Sequence, residues 1–195
     1  KASSSELTTM NSFEEYRIEL QTRVFKLDDS LSDFNNLTLD IFRFQAENNS
    51  VYSKYLEFLG VDFLKVQSVN TIPFLPIEAF KSNRVVTGCF SDEQVFKSSG
   101  TTSSMSERSS HHVRSVEWYN KISLCIFNTL VEPVTSFKWL GLLPGYSERP
   151  DSSLIHMVKH FMIEAEDVIS DNFFLDNFSR LNDELEKASD SEIAL

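Results

Sequence analysis

The residues whose chemistry stands out lie between 95 and 113, "VFKSSGTTSSMSERSSHHV". A β-type run, Val95-Phe96-Lys97, leads into a turn made of Ser98, Ser99, Gly100, Thr101, Thr102 and Ser103, and a helical pattern is read after it. Gly100 allows the backbone to turn tightly, and the hydroxyls surround it with donors. Successive backbone N–H groups in such a turn form a concavity that suits an anion, so the chemistry on offer is phosphate binding. The spacing is not that of a Walker P-loop, because GxxxxGK[ST] is absent. Composition alone leaves an ordinary solvent-exposed Ser-rich loop as an equal alternative.

The elements needed to hold such a turn are read from the pattern. "NSFEEYRIELQTRVFKL", "SLSDFNNLTLDIFRFQAENN" and "SVYSKYLEFLGV" carry apolar residues at spacings of three and four and read as helices, the last stopped by Gly60. Pro73 and Pro76 punctuate the next segment, and Pro76 is placed to open a short helix, "IEAFK". Strands are expected at "RVVTG", "EQVFKSS", "FKWLGLLP" and "NFFL", with helices at "HHVRSVEWYNKISLCIFNTLVEP" and "DSSLIHMVKHFMIEAED" between them. That alternation predicts an α/β fold, a mainly parallel sheet flanked by helices with a helical N-terminal layer. Residues 1–9 precede Met10 and are set aside as an extraneous leader, leaving 10–195 as a single α/β unit.

A second loop, "PGYSERPDSS", is expected on the same sheet edge. Its Tyr146, Arg149, Ser152 and Ser153 suit a carboxylate or phosphate, and Asp151 or Ser152 as a helix cap is the structural alternative. His111 is within chain reach of the turn, and opening the next helix is its other reading. His156 and His160 are one helical turn apart, but they lie off the apolar stripe of Leu154, Ile155, Val158, Phe161, Met162 and Ala165. They read as solvated histidines, so no metal site is expected. Of the two cysteines, Cys125 reads as core and neither is given a catalytic role. Glu148 with Arg149 reads as a surface pair.

The net charge of −11 over 195 residues argues against a nucleic-acid partner and against an anionic membrane surface. Much of the acidic excess follows residue 163 and reads as a solvated helix face. No apolar run is long enough for a membrane span and no signal peptide is visible, which makes the cytoplasm the expected location. The 17 phenylalanines read as core packing.

"FKSSGTTS" resembles the phosphate loop of adenylate-forming enzymes, whose usual form is Ser/Thr-Ser-Gly-Thr-Thr-Gly followed by Lys. Together with "FRFQAENNSVYSKYLEFLGV", "TIPFLPIEAFKSNRVVTG" and "LLPGYSERPDSSLIHMV", in that order, it resembles the LuxE-type acyl-protein synthetase family from about residue 40 to about residue 175. The resemblance implies an N-terminal portion of such an enzyme. ATP, with Mg²⁺, activates a carboxylic acid, in the family a fatty acid, to an acyl-adenylate, and the acyl group passes to the thiol of an acceptor protein or carrier. Ser98 to Thr102 would hold the β- and γ-phosphates, with Mg²⁺ bridging them. Ser103 stands where the superfamily has Gly, and its following Lys has no counterpart, Lys97 and Arg108 being the nearby cations. Leu143-Pro144 match its Leu-Pro-x-x-His pattern, with Ser147 in place of His. The family's adenine-binding segment, ribose Asp, catalytic Lys and acceptor Cys have no match here, so the catalytic residues stay unknown and the fragment alone is expected to be inactive. Alternatives are part of a CoA-type acid–thiol ligase and a non-catalytic, partner-binding relative.

Overall fold

In a computed structural model of the chain, residues 4–27, 30–99, 108–144, 148–166, 172–187 and 193–194 are described. They form two compact units, Lys1–Ala79 with Val85–Cys89 and Phe80–Arg84 with Phe90–Leu195.

The first unit is built on three helices, α1 (Ser4–Phe25), α2 (Leu31–Asn48) and α3 (Ser50–Phe58). α2 is central because its apolar residues follow two helical stripes. Leu37, Ile41 and Phe44 meet Phe13, Leu20 and Val24 of α1, while Leu39, Phe42 and Ala46 meet Tyr52 and Leu56 of α3 and Val66 beyond it. Each fully buried large side chain there contributes about 1.5–3 kcal/mol. Ser30 caps α2 by accepting from Asp33 N–H. Asn49 serves two helices: its N–H closes α2 on the Gln45 carbonyl, and its side chain accepts from Val51 and Tyr52 N–H to start α3. Gly60, at φ +67°, ends α3 in the left-handed region, as its position implied.

Gly88 is the tighter glycine of this unit. Its φ is +78°, its N–H donates to the Asn48 carbonyl at 2.8 Å, and a Cβ would stand 2.9 Å from Phe13 Cε1. Gly88→Ala is therefore expected to cost about 1–3 kcal/mol in urea unfolding. Gly60→Ala, with nothing within 4 Å of its Cβ position, is expected to cost only the left-handed backbone, about 1 kcal/mol.

The second unit contains α4 (Ala79–Ser82, which begins at its edge), β1 (Gln94–Lys97), β2 (Ser110–Val113), α5 (Val116–Leu130), β3 (Lys138–Trp139), α6 (Ser153–Glu164), α7 (Phe178–Lys187) and β4 (Ile193–Ala194). The Ala79 N–H donates to the Pro76 carbonyl, so Pro76 does open the short helical turn. Val134, Trp139, Phe161 and Met162 form the core between α5 and α6, with Phe127, Phe137 and Phe173 packed around them. Leu140, Phe174 and Leu181 form a smaller cluster under α7.

Among the described residues the expected mainly parallel sheet is not there. The chain is mainly helical, with seven α-helices among the described residues, and its longest ladder is the antiparallel hairpin β1–β2. "RVVTG" is not a strand: Arg84 is committed to an ion pair and Gly88 turns back onto Asn48. "FKWLGLLP" yields only the two-residue β3, parallel to β4, and "NFFL" contributes one bridge, Phe173 to Gly141. The segment read as the start of a long helix, His111 to Val113, instead pairs with Phe96 to Gln94. Helix α5 begins later because the Ser115 side chain accepts from Trp118 N–H and fixes the cap there.

Two smaller expectations are also corrected. Cys125 is exposed on α5, a helix with no fully buried residue. His156 is half-buried rather than a solvated surface histidine. Because α6 contacts both the hairpin side and the core side, its covered arc is wider than the apolar stripe, while Leu154 of that stripe is exposed. No helix among the described residues is long and apolar enough to cross a membrane.

Candidate functional site

Ser98 and Ser99 follow β1, and the next described strand, β2, pairs with β1 antiparallel, so the Ser-rich sequence lies between two strands in the chain rather than between a strand and a helix. Gly100, Thr101, Thr102 and Ser103 lie outside the described residues, as does Tyr146 of the second loop. What is described is the chain that flanks them. Ser98 N–H donates to the Ser109 carbonyl at 3.0 Å, and Ser109 N–H donates to Ser98 Oγ at 3.0 Å, extending the ladder one rung beyond the strands. Ser109 is buried, whereas Lys97, Ser98 and Ser99 are exposed.

The second loop docks against this base, so the structure brings together the flanks of both sequence-derived segments. Lys97 N–H donates to the Asp151 carbonyl at 2.8 Å, and the Gln94 side chain donates to the Pro150 carbonyl at 3.0 Å. Arg108 ties the arrangement: its Nε donates to the Ser98 carbonyl at 2.6 Å and its Nη2 to Asp151 Oδ2 at 2.8 Å. Arg149 Nε donates to Asp151 Oδ1 at 3.3 Å, so Arg149 pairs with Asp151. Burial works to raise the Asp151 carboxyl, and Arg149 and Arg108 outweigh it, leaving the group below its ordinary range.

Ser152 and Ser153 have backbone-directed roles here. Ser152 Oγ accepts from Ile155 N–H and caps α6, as one of the two readings expected, and the Ser153 carbonyl accepts from Tyr119 O–H at 3.2 Å. His111 lies in β2 with its ring stacked on Phe80 at 4.9 Å, on the face it shares with Phe96. Below the hairpin, Phe96 is buried against Tyr119 and His156, with centroids 5.2 and 5.3 Å away. His156 Nε2 sits 2.9 Å from Asn120 Oδ1. Burial, then the charges of His160 and Lys159, push His156 below its ordinary value and favour the neutral ring.

The donor set suits an anion: two exposed hydroxyls, the exposed Lys97 ammonium, and a guanidinium anchored at the turn's base. Among the described residues no group of three His, Cys, Asp or Glu is placed to hold a metal ion, and Asp151 is occupied by two arginines.

Sequence reading missed two features. One is Asp151 as the anchor of Arg108, which needs the docking of residues 43 positions apart. The other is the cluster of Arg84, Asp92 and His112, where the Arg84 fork meets Asp92 at 2.6 and 2.7 Å.

Arg84's hydrogen bonds, working against burial and assisted by His112, hold the Asp92 carboxyl down at about 2. Asp92 therefore contributes stability that is complete above its ordinary value of 3.8 and is lost as pH falls through about 2. In urea unfolding, the gap between the native chain and Asp92→Asn is expected to be widest at pH 5 and to close toward pH 2.

Compared with known proteins, the chain matches no family model, no curated protein and no solved structure.

Proposed function

We propose that this chain supplies the phosphate-binding part of an ATP-dependent ligase that activates a carboxylic acid, of the fatty-acid class, as its adenylate and passes the acyl group to a protein or carrier thiol. The observation that carries this reading is the clamp where the SSGTTS sequence begins: Arg108 holds the Ser98 carbonyl and Asp151 together, and Lys97 beside Ser98 is exposed. The resemblance to LuxE-type acyl-protein synthetases supplies the reaction, and the clamp supports it physically.

In that reaction the acid's carboxylate attacks the α-phosphate of ATP and pyrophosphate leaves. Negative charge concentrates on the leaving group, so fixed N–H and O–H donors aimed at it stabilise the transition state. Ser98, Ser99, Gly100, Thr101, Thr102 and Ser103 would hold the β- and γ-phosphates. Magnesium neutralises those phosphates when bound. Arg108 keeps the turn's base from opening and supplies the positive field that the superfamily draws from its lysine. Arg149 pairs with Asp151 through Nε and steadies the second loop. A reaction that draws on ATP belongs in the cytoplasm.

The test is a titration of Mg-pyrophosphate and Mg-ATP into the chain, followed through its backbone amides by NMR. Shifts should centre on Ser98 to Ser103 and vanish in Thr101→Ala/Thr102→Ala. Shifts that are absent at millimolar ligand, or unchanged in the double variant, would sink the reading.

A further inference from the structure

The β1–β2 hairpin meets the two large helices of its unit at a triangle of rings. Phe96 of β1 is 3% exposed, and its ring lies 5.2 Å from that of Tyr119 on α5 and 5.3 Å from that of His156 on α6. Tyr119 and His156 close the triangle at 5.7 Å. His156 is half-buried, and its Nε2 lies 2.9 Å from Asn120 Oδ1 of α5. Burial raises the Tyr119 phenol, so that ring stays neutral. His156 is therefore the one member of the triangle whose charge changes between about pH 5 and 8.

A neutral ring suits these surroundings in either tautomer. The Asn120 amide accepts from an Nε2–H with its oxygen, and turned over it donates to a bare Nε2 with its nitrogen. A charged ring fits poorly. Burial disfavours the cation first, and the charges that act on it among the described residues, those of protonated His160 and of Lys159 on its own helix, are both positive. The elements packed against it contribute Phe96 from β1 and Tyr119 and Asn120 from α5, none of them a carboxylate. The hairpin's other ties to this side are Lys97 N–H on the Asp151 carbonyl, the Gln94 amide on the Pro150 carbonyl, Arg108 on Asp151, and Glu93 on Val116 N–H. None of these involves an imidazole.

We propose that His156 is a proton-operated latch: neutral, it holds the β1–β2 hairpin on α5 and α6, and protonated, it lets the hairpin lift from them. The inference is independent of the ligase reading. A group held below its ordinary value in the docked state binds fewer protons there than when freed, so acid favours the freed state. The stability that His156 gives the docked hairpin is complete above its ordinary value of 6.5 and is lost as pH falls through the lowered one. Each unit of that lowering is about tenfold in the opening equilibrium. The β1–β2 ladder consists of backbone bonds within the hairpin, so it stays paired while Phe96 and Tyr119 are uncovered.

Two NMR measurements on the chain test this. Histidine ring protons read the titration of His156, which should fall below 6.5. Docking is read through hydrogen exchange of the Lys97 amide, which donates to the Asp151 carbonyl, and through the Phe96–Tyr119 ring contact. Between about pH 7.5 and about pH 5 the Lys97 protection factor should drop, by up to about tenfold for each unit of the lowering, and the ring contact should weaken. Protection of Phe127 and Phe161, in the core between α5 and α6, should hold. His156→Phe keeps a ring and cannot titrate, so its Lys97 protection should be level across this range. His111→Gln and His112→Gln remove the hairpin's own histidines and should leave the drop in place. Lys159→Gln relieves a like charge, so it should move the His156 midpoint up and shrink the drop with it. In the native chain, a His156 midpoint at or above 6.5 means that the aromatic faces hold the cation, and overturns the proposal. A drop that persists in His156→Phe overturns it too. An equal drop at Phe127 and Phe161 means that the whole unit loosens, and overturns the latch.

Discussion

Phe161→Ala will lower the unfolding free energy by about 3–5 kcal/mol, the range for deleting a fully buried aromatic ring. Phe161 is 1% exposed and its ring meets Phe127 of α5 at 5.0 Å and Trp139 of β3 at 5.5 Å. Met162, fully buried beside it, and Val134 close the remaining sides, so the surroundings have little freedom to collapse into the space left. The ring also links α5, β3 and α6, and its loss removes aromatic contacts worth about 0.5–1.5 kcal/mol each beyond area. Urea unfolding of the two chains measures this directly. Ile126→Ala is the matched control: Ile126 is 53% exposed on the same α5, and the expected change is within about 0.5 kcal/mol. A Phe161→Ala cost near that of Ile126→Ala would show that this cluster is not the core of the unit.

The same aromatic cluster shows what the sequence did and did not disclose. The N-terminal helices were legible because their signals are local. Gly60 stands where a stop belongs, and Leu37, Ile41 and Phe42 follow helical spacing, whereas Asn11 and Ser12, read as a cap, lie inside α1. "EQVFKSS" was legible as a strand for the same reason. Its partner was not, because "SHHV" abuts a strong helical pattern, and only the pairing of His111 with Phe96 draws it into the hairpin. The parallel sheet was inferred from alternation of short apolar runs, yet around the buried Trp139 and Leu140 the strand pairing amounts to a two-residue ladder and one bridge, and helices supply most of the cover. Burial of an apolar run specifies a covered surface without specifying what covers it. The histidines of α6 failed likewise: a wheel ranks apolarity, while His156 is covered through Phe96, Tyr119 and Asn120, which come from other elements. At the candidate site, the hydroxyls and cations were visible in the sequence. The anchoring of Arg108 by Asp151 was not, because it depends on where the second loop docks.

Arg108→Ala is expected to cost about 2–3 kcal/mol in stability, the scale of charge-assisted hydrogen bonds lost from a largely covered side chain. It should also weaken pyrophosphate binding at least about tenfold, or 1.4 kcal/mol. Both effects follow from its two bonds. The 2.6 Å bond to the Ser98 carbonyl fixes the residue that opens the turn, and the 2.8 Å bond to Asp151 fixes the second loop beneath it. Its side chain is 17% exposed and that of Asp151 27%, so the pair is better shielded than an open surface ion pair, whose contribution is below about 1 kcal/mol. Arg108→Lys keeps the charge but offers a single ammonium where the guanidinium spans two acceptors. It should therefore recover the long-range attraction for pyrophosphate and little of the stability. Asp151→Ala separates the two contributions. Arg149 loses its partner at 3.3 Å and Arg108 loses one of two, so stability should fall while the positive field at the turn rises. A cycle with Arg108→Ala, Asp151→Ala and the double variant reads their coupling in urea, and the same four chains titrated with Mg-pyrophosphate read the anion site. Coupling above about 1 kcal/mol, together with weakened pyrophosphate binding in both single variants, means the turn's geometry dominates its anion affinity. Tighter binding in Asp151→Ala would instead mean that net charge dominates, and that the clamp serves stability alone.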